Sequence, residues 1–192
     1  NDRFIAVGNG IEKIAYSTNG INWTTVLDSN LVFTIQGFDV HWNGIRWVAV
    51  GEGTNSIAYS GEGLEWYIVT NSTSIFTQGN GVASNKNRWI AVGEGPNTIA
   101  YSYDGITWTG LGSSIFTTAG HKVIWNGIIW IAVGEGTNSI AYSEDNGITW
   151  IGLGTTIFTK GYSVANNDTK IVAVGEGSNT IAHSDTGRSW TG

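Results

Sequence analysis

The sequence predicts an all-β protein: a β-propeller of four-stranded antiparallel blades, five in this chain, the first lacking its opening strand. Three observations carry that expectation. The phrase Ala-Val-Gly recurs, ending at Gly8, Gly51, Gly93, Gly134 and Gly175, at intervals of 43, 42, 41 and 41 residues. An independent marker, the Trp closing a Ser-to-Trp segment, keeps the same period at Trp23, Trp66, Trp108, Trp150 and Trp190. The composition is that of sheet, with 28 Gly, a single Pro, and bulk supplied by Val, Ile, Thr, Tyr, Phe and Trp. Self-similarity at about 40–45 residues is the mark of a blade that buries its faces only by stacking on its neighbours.

Within one period, Lys122-Val123-Ile124-Trp125 reads as strand A, followed by the turn residues Asn126-Gly127. Trp130 to Gly134 is strand B, Ser139 to Ser143 is strand C, and Thr149-Trp150-Ile151 opens strand D. The repeats run approximately over 1–28, 29–70, 71–111, 112–153 and 154–192, as one domain. All 10 Trp occupy repeat positions: the five that close the C-to-D turn, Trp47, Trp89 and Trp130 in strand B, and Trp42 and Trp125 in strand A. Packing between blades is the expected role of that set.

Charge and composition narrow the function classes. A net charge of -6 with nine Lys plus Arg lacks the clustered cations that a nucleic-acid backbone demands. No apolar run approaches the roughly 20 residues that span a bilayer, so membrane insertion is not expected. The chain has no Cys, which rules out disulfides and thiolate metal sites but names no compartment. It also has no Met, not even an initiator, which points to a processed or excised chain.

The C-to-D turn of the fourth repeat, Ser143-Glu144-Asp145-Asn146-Gly147-Ile148-Thr149-Trp150, matches the pattern S-x-D-x-G-x-T-W at every fixed position (Ser143, Asp145, Gly147, Thr149, Trp150). The other four copies are one residue shorter. Among them the third, with Ser102, Asp104, Gly105 and Trp108, keeps an equivalent carboxylate. The whole period resembles blades of the Asp-box propeller superfamily, which includes sialidases and photosystem II assembly factors. The resemblance implies a fold, with the box as a peripheral turn whose carboxylate and hydroxyl satisfy backbone N–H groups. It carries no function by itself.

A sialidase-like centre, as that resemblance frames it, needs three convergent Arg, a Tyr–Glu nucleophile pair and an acid/base carboxyl. Arg3, Arg46 and Arg88 share one repeat position before strand B, and Arg188 lies beside a box Trp, so they read as residues of separate blade edges. His41, His121 and His183 show no metal-ligand spacing, and no nucleophile-elbow motif occurs. Gly-Glu-Gly is followed by a strand, so it is hairpin chemistry and no phosphate loop. No catalytic residue, metal or cofactor is expected.

The candidate ligand site is the B-to-C hairpin, where Glu-Gly-x-Asn recurs as Glu52/Asn55, Glu94/Asn97, Glu135/Asn138 and Glu176/Asn179. A carboxylate and an amide repeated around one face suit the vicinal hydroxyls of a sugar, with avidity from repetition. The D-to-A segments Gly112 to Thr117 and Gly154 to Thr159 are expected to supply an apolar wall. A multivalent lectin-like module is the first reading and a protein-interaction scaffold or structural repeat the second, so the partner is a glycan or a protein. Surface exposure or secretion is favoured, although the sequons at Asn22, Asn71 and Asn167 are what an Asn- and Thr-rich chain yields by chance. Strand A occurs once less often than B, C and D, which leaves three ways to assemble: a five-bladed monomer, a fragment, or a homodimer completing a larger ring.

Overall fold

The computed structural model describes residues 2–167 and 169–192. Blade 1 comprises β1 (Phe4–Val7), β2 (Ile14–Ser17) and β3 (Thr24–Thr25), and a one-turn helix α1 (Ser29–Val32) leads out of it. Blade 2 holds β4 (Gln36–Trp42), β5 (Trp47–Glu52), β6 (Ile57–Ser60) and β7 (Tyr67–Ile68). Blade 3 holds β8 (Gln78–Ser84), β9 (Trp89–Glu94), β10 (Ile99–Ser102) and β11 (Thr109–Gly110). Blade 4 holds β12 (Ala119–Trp125), β13 (Trp130–Glu135), β14 (Ile140–Ser143) and β15 (Ile151–Gly152). Blade 5 holds β16 (Lys160–Asn166), β17 (Ile171–Glu176) and β18 (Ile181–Ser184), and its fourth strand is reduced to a bridge between His183 and Thr191.

Every blade is an antiparallel meander, with registers such as Trp125↔Trp130, Val133↔Ile140 and Ala141↔Gly152 in blade 4. The A strands β4, β8, β12 and β16 lie against one another and so line the axis. Single pairs, Glu52↔Gln78 and Glu135↔Lys160, join neighbouring blades at one axial rim. The A-to-B loop is a four-residue turn closed by its Asn, since Asn126 Oδ1 accepts the N–H groups of Ile128 and Ile129 at 3.0 and 2.8 Å. Among the described residues no helix is long and apolar enough to cross a membrane.

Two elements differ from the sequence expectation. Strand A begins three residues earlier, at Ala119, because Gly120 lets the strand lie close on the preceding blade: a Cβ there would fall 2.7 Å from that of Val92. Strand D begins after the Trp, at Ile151, because Trp150 Nε1 donates to Gly147 O at 3.2 Å and holds that residue inside the turn.

The B strands of blades 2 to 4, β5, β9 and β13, are buried on both sides, which explains why they read as unbroken apolar runs. In blade 2, Val48 and Val50 face forward onto Phe76, Val82, Trp89 and Trp108 of blade 3, while Ala49 faces back towards Val7, Ile14 and Val26 of blade 1. The pattern recurs with Ile90 and Val92 on blade 4, and with Ile131 and Val133 on blade 5. Each fully buried side chain of this kind contributes about 1.5–3 kcal/mol. Phe33, Phe76, Phe116 and Phe158 are wholly buried in these layers, under Gly51, Gly93, Gly134 and Gly175. A Cβ on Gly134 would lie 2.4 Å from Ala119 O and 2.7 Å from the Phe116 ring, so the Gly of Ala-Val-Gly makes room for that Phe. The Phe of the D-to-A segment is therefore core, and the expected apolar wall for a ligand is absent from it.

The stack of blades is an open arc. Apolar clusters join blades 1 to 2, 2 to 3, 3 to 4 and 4 to 5, and among the described residues none joins blade 5 to blade 1. The Trp set follows this layout: Trp47, Trp89, Trp108 and Trp130 are buried, whereas Trp23 is exposed on the back of blade 1, where no blade covers it.

Candidate functional site

The B-to-C hairpins and the D-to-A loops share one face, as Thr54 N–H donating to Thr34 Oγ1 and Thr137 N–H donating to Thr117 Oγ1, both at 3.0 Å, require. The four Asn of the Glu-Gly-x-Asn motif point inward from it. Asn55, Asn97, Asn138 and Asn179 donate through Nδ2 to the carbonyls of Val32, Ile75, Ile115 and Ile157 at 3.1, 2.9, 2.7 and 3.1 Å. Asn97 and Asn138 also accept, at 2.8 Å each, the N–H groups of Gly112 and Gly154 in the next loop. Asn97 and Asn138 thus each fasten two successive D-to-A loops together. Blade 1, which lacks this Asn, uses Ser29: its Oγ accepts the N–H groups of Lys13 and Ile14 and donates to Glu12.

The four Glu behave differently. Glu135 pairs with Lys160 at 2.9 Å and lies 3.7 Å from His121 Nε2, and Glu176 accepts a hydrogen bond from the Tyr162 hydroxyl. Glu52 and Glu94 have no ion pair or side-chain hydrogen bond among the described residues. The hydrogen bond from Lys160 holds the Glu135 carboxyl below its ordinary range, and Glu135 raises Lys160 in return.

At this rim every A strand carries a bulge of one residue, and the extra residue is Phe38, Asn80, His121 or Tyr162. Bulges re-aim a side chain out of the pleat, and here they place four different groups around the mouth of the axis. Phe38 and Tyr162 are exposed. Asn80 is tied to Gln78 and to Gly120 O at 2.6 and 2.9 Å. His121 leans on Tyr162, their ring centres 6.5 Å apart, and its Nε2 is buried with no hydrogen bond among the described residues. Below them Asp39 accepts from Lys122 Nζ at 2.7 Å and from Val82 N–H at 3.0 Å, so one carboxylate connects three blades. This set was absent from the sequence reading. Its signal was present in it: the residue immediately after the Gly of Thr-x-Gly or Thr-x-x-Gly varies where that Gly repeats.

Burial lowers the pKa of His121, helped by Lys160 and opposed by Glu135, and burial lowers that of His41 beside Asp39, Lys122 and Trp89. Both folded values lie below the ordinary 6.5, so their contribution to stability is complete above pH 6.5 and is lost as the pH falls through the folded values. Chemical denaturation between pH 7 and 5 is expected to show falling stability, and His121→Gln a shallower slope. An unchanged slope would assign the dependence elsewhere.

The C-to-D turns are closed by side chains. Asp145 accepts from Ile148 and Thr149 N–H at 3.1 and 2.8 Å, Ser143 Oγ accepts from Gly147 N–H at 2.9 Å, and Asp104 and Ser102 repeat the arrangement in blade 3. Partial burial pushes both carboxyls up, but the hydrogen bonds outweigh it and leave them below the usual range. Asn19 makes the equivalent bonds in blade 1, accepting from Ile21 and Asn22 at 2.9 Å. The Arg residues stay on separate blades: Arg46 packs over Tyr59, Arg88 over Tyr101 and Tyr103, and Arg188 pairs with Glu144 at 2.6 Å.

No family model matches the chain, and no curated protein does. Solved structures do. The chain is similar to one in a nidogen/laminin complex, with a TM-score of 0.67 at 11% identity over 90% of this chain and 67% of that one. It is similar to the GH74 xyloglucanase of Xanthomonas campestris, with a TM-score of 0.65 at 15% identity over 94% of this chain and 28% of the enzyme. It is similar to YCF48 bound to a D1 peptide, with a TM-score of 0.56 at 18% identity over 80% of this chain and 51% of that one. The chain therefore spans 28% of the xyloglucanase and about half of YCF48. At these identities the likeness is one of fold, and the fold is a β-propeller.

Proposed function

We propose that this chain is a non-catalytic recognition module that binds a protein or peptide segment across the axial mouth, read by Phe38, Asn80, His121 and Tyr162. One observation carries the proposal: these four equivalent positions differ in every blade, while the hairpins around them are nearly identical. Four unlike groups around one opening suit an asymmetric ligand. A glycan bound at equivalent sites needs the opposite, and the Asn of the repeated motif already spend their amides on the loops. The uncompensated Glu52 and Glu94 favour a partner segment carrying Lys or Arg. The pairing of Glu135 with Lys160 and of Glu176 with Tyr162 supports recognition over acid/base chemistry. Two propellers of similar fold, the one in the nidogen/laminin complex and YCF48 with its D1 peptide, lend the reading support as precedents.

A phage-displayed peptide library selected on the immobilised protein tests this, with a glycan array in parallel. The expected result is enrichment of basic peptides whose binding falls at least tenfold in the Phe38→Ala/Tyr162→Ala variant. Enrichment of no peptide sinks the proposal. So does a glycan whose binding ignores that variant and disappears in Glu52→Gln/Glu94→Gln.

A further inference from the structure

The outer margin of the molecule carries a groove at three consecutive junctions, between the D-to-A segment of one blade and the C-to-D turn of the next. Its volume is 1070 Å³ between blades 1 and 2, 400 Å³ between blades 2 and 3, and 190 Å³ between blades 3 and 4. The Phe of the D-to-A segment stands ten residues after the box Trp at the first two junctions and eight after it at the third. The longer segments fold into a helical turn, α1 or Ser72–Ser74, which supplies part of one wall.

The first two grooves are one site built from different residues. Tyr16, Val26 and Trp66 of the first correspond to Tyr59, Val69 and Trp108 of the second and form the inner part that does not change. The outer part changes. Leu27 and Leu31 stand where the second groove has Thr70 and Ser74, and Tyr67 and Ile68 stand where the next blade has Thr109 and Gly110. Leu27, Leu31, Tyr67 and Ile68 are 82, 66, 52 and 50% exposed, and all four line the first groove. Charge changes with them, since Asp28 and Glu65 replace Asn71 and Thr107 and put one carboxylate on each wall. Among the described residues no Lys or Arg lines this groove, and Asp28 has no ion pair.

We infer that the groove between blades 1 and 2 is an interaction surface for a segment of another protein whose apolar side chains are flanked by Lys or Arg. Packing of blade on blade does not demand the two Leu, because the second junction is built with Thr and Ser in their places. An exposed apolar patch rimmed by charge is the mark of a surface that meets a partner. The two carboxylates fix the sign of that partner, since each lies beside apolar surface without a cation of its own chain and gains one from the ligand. The volume is beyond the about 300–1,000 Å³ of small-molecule pockets, which favours a polypeptide over a metabolite. The groove lies at the circumference and the mouth at the axis, so this surface does not rest on the ligand proposed for the mouth.

A phage-displayed peptide library selected on immobilised Phe38→Ala/Tyr162→Ala protein, which lacks two side chains of the mouth, tests this. The expected result is enrichment of peptides in which apolar residues are flanked by Lys or Arg. Their binding falls about tenfold or more in Leu27→Thr/Leu31→Ser. It falls about two- to fivefold in Asp28→Asn/Glu65→Thr, which also flattens its salt dependence. Every replacement is the residue that the second groove carries, at an exposed position, so both variants keep the circular dichroism and melting of the wild type. Enrichment of no such peptide, or of peptides whose binding ignores Leu27→Thr/Leu31→Ser, overturns the inference. So does self-association of the wild type that disappears in Leu27→Thr/Leu31→Ser, since that gives the groove to a second copy.

Discussion

Trp108→Ala is expected to destabilise the fold by about 3–5 kcal/mol, and Trp23→Ala, at the same position of the repeat, by no more than about 0.5 kcal/mol. Trp108 is 9% exposed and packs on Val48, Val50 and Ile57 of blade 2, whereas Trp23 is 44% exposed and lies on the uncovered back of blade 1. Truncating Trp108 removes the transfer free energy of a large side chain and leaves a cavity between two rigid sheets that cannot collapse into it. Truncating Trp23 leaves no cavity. Urea denaturation of both variants, at concentrations where the wild type has the mass of one copy, measures the contrast. Equal losses would mean that Trp23 is buried in the monomer and that the arc closes on itself.

That contrast marks where sequence reasoning stops. The repeat made the blades legible because burial on both faces forces the same residue kinds into the inner B strands, as in Trp89-Ile90-Ala91-Val92 and Trp130-Ile131-Ala132-Val133. The same repetition hid which faces have a partner, since Val174 and Val133 look alike in the sequence and differ only in what lies beyond them. Strand A was read short at its Gly-rich start, where close approach to the preceding blade, and no side-chain pattern, sets the conformation. The residue pattern starts strand D two residues early, at Thr149, because the box Trp has the look of a strand residue, although its indole closes the turn.

At the candidate site the sequence pointed to repetition, and repetition led to the hairpin. Asn97 and Asn138 recur because each must satisfy a carbonyl and an N–H in two loops, a demand invisible without the distances between those loops. Phe38, Asn80, His121 and Tyr162 do not repeat and so carry no motif. Their common placement follows from the bulge, which adds one residue to the A strand and turns the extra side chain into the mouth.

Within one Glu-Gly-x-Asn motif the two named residues should therefore part company. Asn138→Ala removes the donor to Ile115 O and the acceptor of Gly154 N–H, leaving two groups of half-buried backbone without partners. A loss of about 1–3 kcal/mol for each group that water does not reach is the expected scale, so the variant should lose at least that much stability. Glu135→Gln removes an ion pair with Lys160 whose carboxylate side is more than a third exposed, and such pairs contribute about 0–1 kcal/mol once solvent screening is allowed for. Thermal denaturation of the two variants at pH 7 checks the difference. Peptides selected on the wild type should still bind folded Asn138→Ala, since its amide faces the loops and not the mouth. A variant as stable as the wild type that nonetheless loses its ligand would return Asn138 to the binding surface and reverse the assignment of roles within the motif.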